Sequence, residues 1–126
     1  MSRARAARRP QLGEFVAQAR ARFAGIPARK ARYVCDLLRG LTVAEAEHQL
    51  LALHKPGSAP VVGKVLKSAV ANATEKQAEN PQALVLGEIY ADDGPMLKRF
   101  QAAPMGRAMQ VRKRMCHVTI KLYTEA

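Results

Sequence analysis

Over one long stretch the chain has no acidic residues at all. From Gly94 to Thr124 neither Asp nor Glu occurs, while Lys98, Arg99, Arg107, Arg112, Lys113, Arg114 and Lys121 do. Like charges at that density repel one another and settle only against an external anion. Nucleic acid is the obvious polyanion. Long apolar runs are missing too: none approaches the ~20 residues needed to cross a bilayer. Cysteine is scarce. Cys35 and Cys116 form neither a C-x-x-C pair nor a metal-ligand spacing. They read as small buried or half-buried hydrophobes in a reducing compartment. No internal repeat is visible.

What is present fits one domain. The chain has 126 residues, 48% of them hydrophobic, enough for a modest core and against wholesale disorder. Lys and Arg number 21 against 10 acidic residues, a formal charge of +11. That surplus says little about fold and favours a phosphate-bearing partner or an anionic membrane. Residues 1–12 carry Arg3, Arg5, Arg8 and Arg9. They read as a flexible basic arm, being short for a transit peptide and lacking apolar bulk. Residues 13–126 read as a single domain with an extended hairpin over about 93–116.

Phe15, Ala17, Ala19, Ala21 and Phe23 alternate with Val16, Gln18, Arg20 and Arg22. That period of two predicts a strand with one face inward and arginines on the other. Gly25-Ile26-Pro27 breaks it. A first helix is expected from Pro27 to Arg39, with Ala31, Val34, Cys35 and Leu38 as its apolar stripe and Gly40 as its stop. Thr42-Val43-Ala44-Glu45 is a capping box opening a second helix. Ser58 is expected to cap a third, with Pro60 in its first turn. That helix carries two adjacent apolar rows: Val61, Val65 and Ala69, then Val62, Leu66, Val70 and Ala73. It should be the core helix and end before Asn80-Pro81. Ala83 to Ala91 reads as a strand interrupted by Asp92-Asp93-Gly94-Pro95. Val118, Ile120 and Leu122 mark a last strand. The fold class is α+β: a three-stranded antiparallel sheet packed on three helices, with a long extended hairpin.

Gly94, Pro95, Pro104 and Gly106 disfavour regular ladder pairing near the hairpin tip. Ordering each residue there costs about 1–2 kcal/mol, and few large apolar pairs offset it. Phosphates would, as arginine and lysine displace counterions. Arginine also stacks on unpaired bases, which suits folded RNA better than a smooth duplex. Arg20, Arg22, Arg29, Lys30 and Arg32 form a second basic set. His117 reads as a hydrogen-bonding or RNA-contacting side chain on an exposed strand face.

Other patterns mimic chemistry. Gly57 to Lys64 resembles a P-loop, but the spacing is one residue long, Val65 stands in place of a magnesium-ligating hydroxyl, and no strand precedes it. Cys116-His117 has no second ligand pair and no partnering carboxylate nearby in sequence. Asp92 and Asp93 are adjacent and so point opposite ways on a strand. Met96, Met105, Met109 and Met115 fit either loop filler or an adaptable apolar lining for a passage that must tolerate many sequences.

Several pieces together resemble the bacterial-type large-subunit ribosomal protein twenty-two family. They are Ala28-Arg29-Lys30-Ala31-Arg32 leading to Asp36-Leu37-Leu38-Arg39-Gly40, then Lys64 to Ala73, then Asp93-Gly94-Pro95 with Lys98-Arg99-Phe100. Gly106-Arg107-Ala108 and Arg112-Lys113-Arg114 with His117-Val118-Thr119-Ile120 complete the set. They run in the family's order from about Phe15 to Tyr123. The resemblance implies a structural protein of the large subunit that supports assembly and has no catalytic activity, cofactor or metal. It implies a hairpin held by large-subunit ribosomal RNA, close to the macrolide-binding region.

By that resemblance Arg29, Lys30, Arg32, Lys98, Arg99, Arg107, Arg112, Lys113 and Arg114 meet RNA, joining Arg20, Arg22 and His117 from the residue reading. The tip would line the peptide exit tunnel with Phe100, Gln101, Ala102, Ala103, Pro104, Met105, Gly106, Arg107, Ala108 and Met109. The chain departs from the family at Ala103 and Met105, where basic residues are usual, and at Met115-Cys116. The implied partners are ribosomal RNA, neighbouring large-subunit proteins and the nascent polypeptide, with no membrane and no homo-oligomer. The location is the ribosome, cytoplasmic or organellar. The alternative is another basic nucleic-acid-binding structural protein. A nucleoid protein would need a groove-reading helix or dimer symmetry, a hydrolase a converging third residue, and a peripheral membrane protein a basic amphipathic helix.

Overall fold

In the computed structural model, which describes residues 11–125, the chain runs β1 (Leu12–Ala24), α1 (Ala28–Leu38), α2 (Val43–Ala52), α3 (Ala59–Glu75), β2 (Val85–Ala102) and β3 (Ala108–Glu125). The expected basic arm lies outside the described residues except for Gln11 and Leu12, and Leu12 already belongs to β1.

Each helix follows its local signals. Pro27 holds extended backbone immediately before α1, whose Ala31, Val34, Cys35 and Leu38 are fully buried. Gly40 adopts φ +83°, the left-handed conformation that ends a helix cheaply only in glycine. Thr42 and Glu45 exchange the two hydrogen bonds of a capping box at the start of α2. In α3, Val62, Val65, Leu66, Ala69 and Ala73 are buried. Ser58 does not cap α3. Its backbone is already helical (φ −98°, ψ −38°), which turns the hydroxyl away from the free N–H groups, and its side chain makes no capping bond.

The sheet is antiparallel in the order β1-β3-β2. Period-two alternation assigns Val118, Ile120 and Leu122 of β3, Ala17 and Ala19 of β1, and Ile89 and Ala91 of β2 to the face covered by α1 and α3. Full burial of each Leu or Ile there contributes about 1.5–3 kcal/mol. Among the described residues no helix packs over the opposite face. The outer edge of β1 is covered by α3: Asn72 Nδ2 donates to the Gln18 carbonyl at 2.8 Å and Lys76 Nζ to the Val16 carbonyl at 3.1 Å.

Two readings of the strands need correction. Phe15 and Phe23 do not point inward with Ala17 and Ala19. The β1–β3 register slips between Phe15 and Ala17 and again between Ala21 and Ala24, each time inserting one extra β1 residue. One such slip moves a side chain to the other face. Phe15 therefore pairs with Tyr123, ring centroids 5.7 Å apart, and Phe23 meets His117 at 5.1 Å. Phe23 takes φ +57°, the local backbone cost of its bulge.

Nor does Asp92-Asp93-Gly94-Pro95 interrupt β2. The ladder steps from Asp93↔Cys116 to Met96↔Arg114, so Gly94 and Pro95 together face Met115. A bulge residue owes the ladder no N–H, and proline has none to give. Gly94 fits because a Cβ there would come within 3.2 Å of the Met115 carbonyl. Beyond the bulge, pairing runs without a break from Met96↔Arg114 to Ala102↔Ala108, more regular than the glycines and prolines lead one to expect. Both punctuating pairs sit where the ladder can spare them, one in the bulge and one in the turn.

Candidate nucleic-acid interface

The ribbon from Met96 to Ala102 extends roughly 20 Å beyond the body at about 3.4 Å per residue. Directly opposed residues share a face. One face carries Met96 with Arg114, Lys98 with Arg112, and Phe100 with Gln110; the other carries Leu97 with Lys113, Arg99 with Val111, and Gln101 with Met109. Cations and apolar side chains thus occupy both faces, and most are exposed. Lys98 directly opposes Arg112, a like-charge pair that destabilises an isolated ladder. Among the described residues, Lys98, Arg99, Arg107, Arg112, Lys113 and Arg114 make no ion pair. The ribbon has two wet faces and no interior. Its geometry suits insertion into an anionic cleft that touches both sides.

The tip turns over Ala103 to Arg107, where the Ala103 N–H donates to the Arg107 carbonyl at 2.7 Å. Met105 and Gly106 both take left-handed backbone, φ +65° and +70°. Met105 is 96% exposed and Phe100 77%. Gln101, Ala102, Pro104, Ala108 and Met109 are also exposed, and Ala103 is half-buried.

The basic residues of the body divide by what they touch. Arg29 and Lys30 of α1 are exposed and engage no acid among the described residues. Arg32 already serves the fold. Its Nε donates to the Ala91 carbonyl at 3.1 Å, and its Nη2 lies 3.7 Å from Asp93 Oδ2, tying α1 to the root of the ribbon. Arg39 makes a similar tie, donating to the Ile89 carbonyl and to Asp36, both at 2.8 Å. His117 Nδ1 accepts the Phe23 N–H at 3.0 Å and so braces the bulge. Its half-buried ring is less open than a plain exposed strand position.

The uncovered sheet face gathers more than the sequence shows. Gln18, Arg20 and Arg22 of β1, His117, Thr119 and Lys121 of β3, and Glu88 and Tyr90 of β2 share it by register. Two of the three β1 slips add Phe15 and Phe23. Strict alternation along β1 hides both aromatics, and only the bulge, which carries no clear sequence mark, delivers them. Arg22 lies over the Phe23 ring at 5.4 Å. Lys121 Nζ and the Tyr123 hydroxyl both donate to Glu88, at 3.1 and 3.0 Å. The bond from Lys121, and then that from Tyr123, holds the Glu88 carboxyl below its usual range, and the same contact raises Lys121. The face joins arginines and aromatics to the carboxylates of Glu88 and Asp92, which opposes His117; the arginines can hold phosphates and the aromatics can stack bases.

Nucleophilic chemistry finds no footing at the cysteines. Burial pushes the Cys35 thiol up to about 11 and raises Cys116 as well, which keeps both protonated at neutral pH. Among the described residues no three His, Cys, Asp or Glu side chains converge as a metal site, and no helix is long and apolar enough to cross a membrane.

The family model for ribosomal protein L22p/L17e matches residues 19–123. The large ribosomal subunit protein uL22 of Desulfitobacterium hafniense strain Y51 is 47% identical over 104 residues, covering 82% of this chain and 90% of that protein. The protein of the same name from strain DSM 10664 / DCB-2 matches at the same identity and coverage.

Proposed function

The chain belongs to the ribosomal protein L22p/L17e family, and from that premise we propose how it works as a structural constituent of the large ribosomal subunit. The family is one of ribosomal structural proteins, not of enzymes. Its partners are ribosomal RNA and neighbouring ribosomal proteins. The body docks through Arg20, Arg22, Arg29 and Lys30, with His117 and Arg32 bracing the elements that present them. The ribbon threads between RNA segments through Lys98, Arg99, Arg107, Arg112, Lys113 and Arg114. Phosphate contacts give affinity, and the shape of the folded RNA gives register. The tip, residues 100–109, lines the passage of the nascent polypeptide; exposed Phe100, Met105 and Met109 give that wall an apolar, adaptable surface.

The observation that carries this reading is the opposition of Lys98 to Arg112 on a ribbon with no acidic residue and no buried face. Such a ribbon is frustrated alone and satisfied between phosphates. Chemical footprinting of the full chain on large-subunit RNA tests it. Protection of discrete RNA segments, lost when the six ribbon cations are replaced by Ala, is the expected result. Equal affinity for any duplex, DNA included, with no discrete protection would favour a general nucleic-acid binder instead.

A further inference from the structure

Among the described residues, one buried side-chain polar atom lacks a partner. Thr119 is 4% exposed, and its Oγ1 is buried with no hydrogen bond. Leaving a hydroxyl unsatisfied in this way is costly, and native proteins seldom do so without a reason. Thr119 sits on the central strand, with Arg20 its register partner on one side and Tyr90 on the other. A polar cleft lies over it, lined also by Lys121 and, at the covered edge of β1, by Ser68 and Asn72 of α3. Arg20 makes no ion pair among the described residues, and Tyr90 is 37% exposed.

The spacing fits one kind of guest. Arg20 and Tyr90 stand two strands apart, about 9–10 Å. A flat ring stacked between a guanidinium and a phenol needs van der Waals contact on each side, about 7–8 Å in all. The short Thr119 side chain between them is a floor, not an obstacle. Lys121 is held by Glu88, so among the described residues the free cation of the cleft is Arg20, and Glu88 disfavours a bare phosphate close to that end. The cleft suits a base better than an isolated anion.

We propose that this cleft holds one unpaired RNA nucleotide, its base stacked between Arg20 and Tyr90 and its edge or 2′-hydroxyl bonded to Thr119 Oγ1. This deepens the ribosomal-RNA reading and rests on it. It assigns the sheet face a stacking role distinct from the phosphate contacts of the ribbon.

The test uses the full chain and large-subunit RNA. Thr119→Val replaces the hydroxyl with a methyl of similar size and, by removing an unsatisfied buried group, should leave the free protein at least as stable as before. It should weaken RNA binding roughly fivefold, the effect of one lost hydrogen bond. Tyr90→Leu keeps an apolar side chain and should weaken binding roughly tenfold or more through lost stacking. Ultraviolet irradiation of the wild-type complex should join Tyr90 to a single base in a loop or bulge. If the wild-type protein binds the RNA while both variants bind equally well and Tyr90 forms no crosslink, the cleft holds water or a neighbouring protein and the proposal is overturned, with the ribosomal reading intact. If the wild-type protein fails to bind large-subunit RNA, the reading beneath it fails and the proposal falls with it.

Discussion

Replacing Arg112, Lys113 and Arg114 together with Ala removes half of the ribbon's six cations, the others being Lys98, Arg99 and Arg107. All three side chains are exposed, and none makes an ion pair among the described residues. The fold should therefore change by no more than about 0.5 kcal/mol per substitution. RNA binding should change a great deal. Each phosphate contact contributes about 0.7 to the slope of log affinity against log salt on single-stranded or irregular RNA. Six ribbon contacts give a contribution near −4, so a fourfold rise in salt weakens binding roughly 300-fold; three give about −2 and roughly 20-fold. Contacts from the body add equally to both proteins, so the difference in slope, about 2, is the quantity to read. Filter binding or fluorescence anisotropy across a salt series measures it, with urea unfolding as the control for fold. An unchanged slope at matched folded concentration would show that these side chains do not meet phosphate. Collapse of the fold would show that they serve the body.

Other outcomes follow from the core and from the Glu88 cluster. Leu66→Ala opens a cavity in the centre of the α3 face, where Leu66 is 1% exposed, and should cost about 2–5 kcal/mol by urea unfolding; a loss under about 1 kcal/mol would mean that α3 is not the core helix. Glu88 has a lowered folded value, so its contribution is present above the usual carboxylate range and lost as pH falls through the lowered value. Lys121 has a raised value, so its contribution is present below the usual lysine range and lost as pH climbs through the raised one. The stability gap between the wild-type protein and Glu88→Gln should be flat from mildly acidic to mildly alkaline pH and close at both extremes. A gap that widens in acid would contradict the arrangement.

How much of this is legible in the sequence depends on how each residue acts. Rows such as Val62, Leu66 and Ala73 announce α3 because helical spacing leaves a periodic trace. Thr42 and Glu45 announce the start of α2 because a capping box is local. The ribbon's charge is also plain, since absence of acid is visible without any coordinates. Its regular pairing is not, because Gly94 and Pro95 look like breakers until the bulge that houses them is seen. Phe15 and Phe23 mislead for the same reason: a single inserted residue reverses which face they join, and alternation cannot reveal it. Thr119 carries no signal. A threonine in a strand is ordinary, and its missing partner is a fact of three dimensions. Arg32 and His117 are legible as basic residues, but not as braces whose hydrogen bonds tie elements together.

The amides of Met96 to Ala102 and Ala108 to Arg114 should tell whether the ribbon is held from outside. Hydrogen exchange on the free chain should find them fast, while those of the sheet core around Ile89 and Ile120 stay slow; on binding large-subunit RNA the ribbon amides should slow by orders of magnitude. Slow exchange of the ribbon in the free protein, with no further change when RNA is added, would mean that self-contacts hold its shape and would contradict the account.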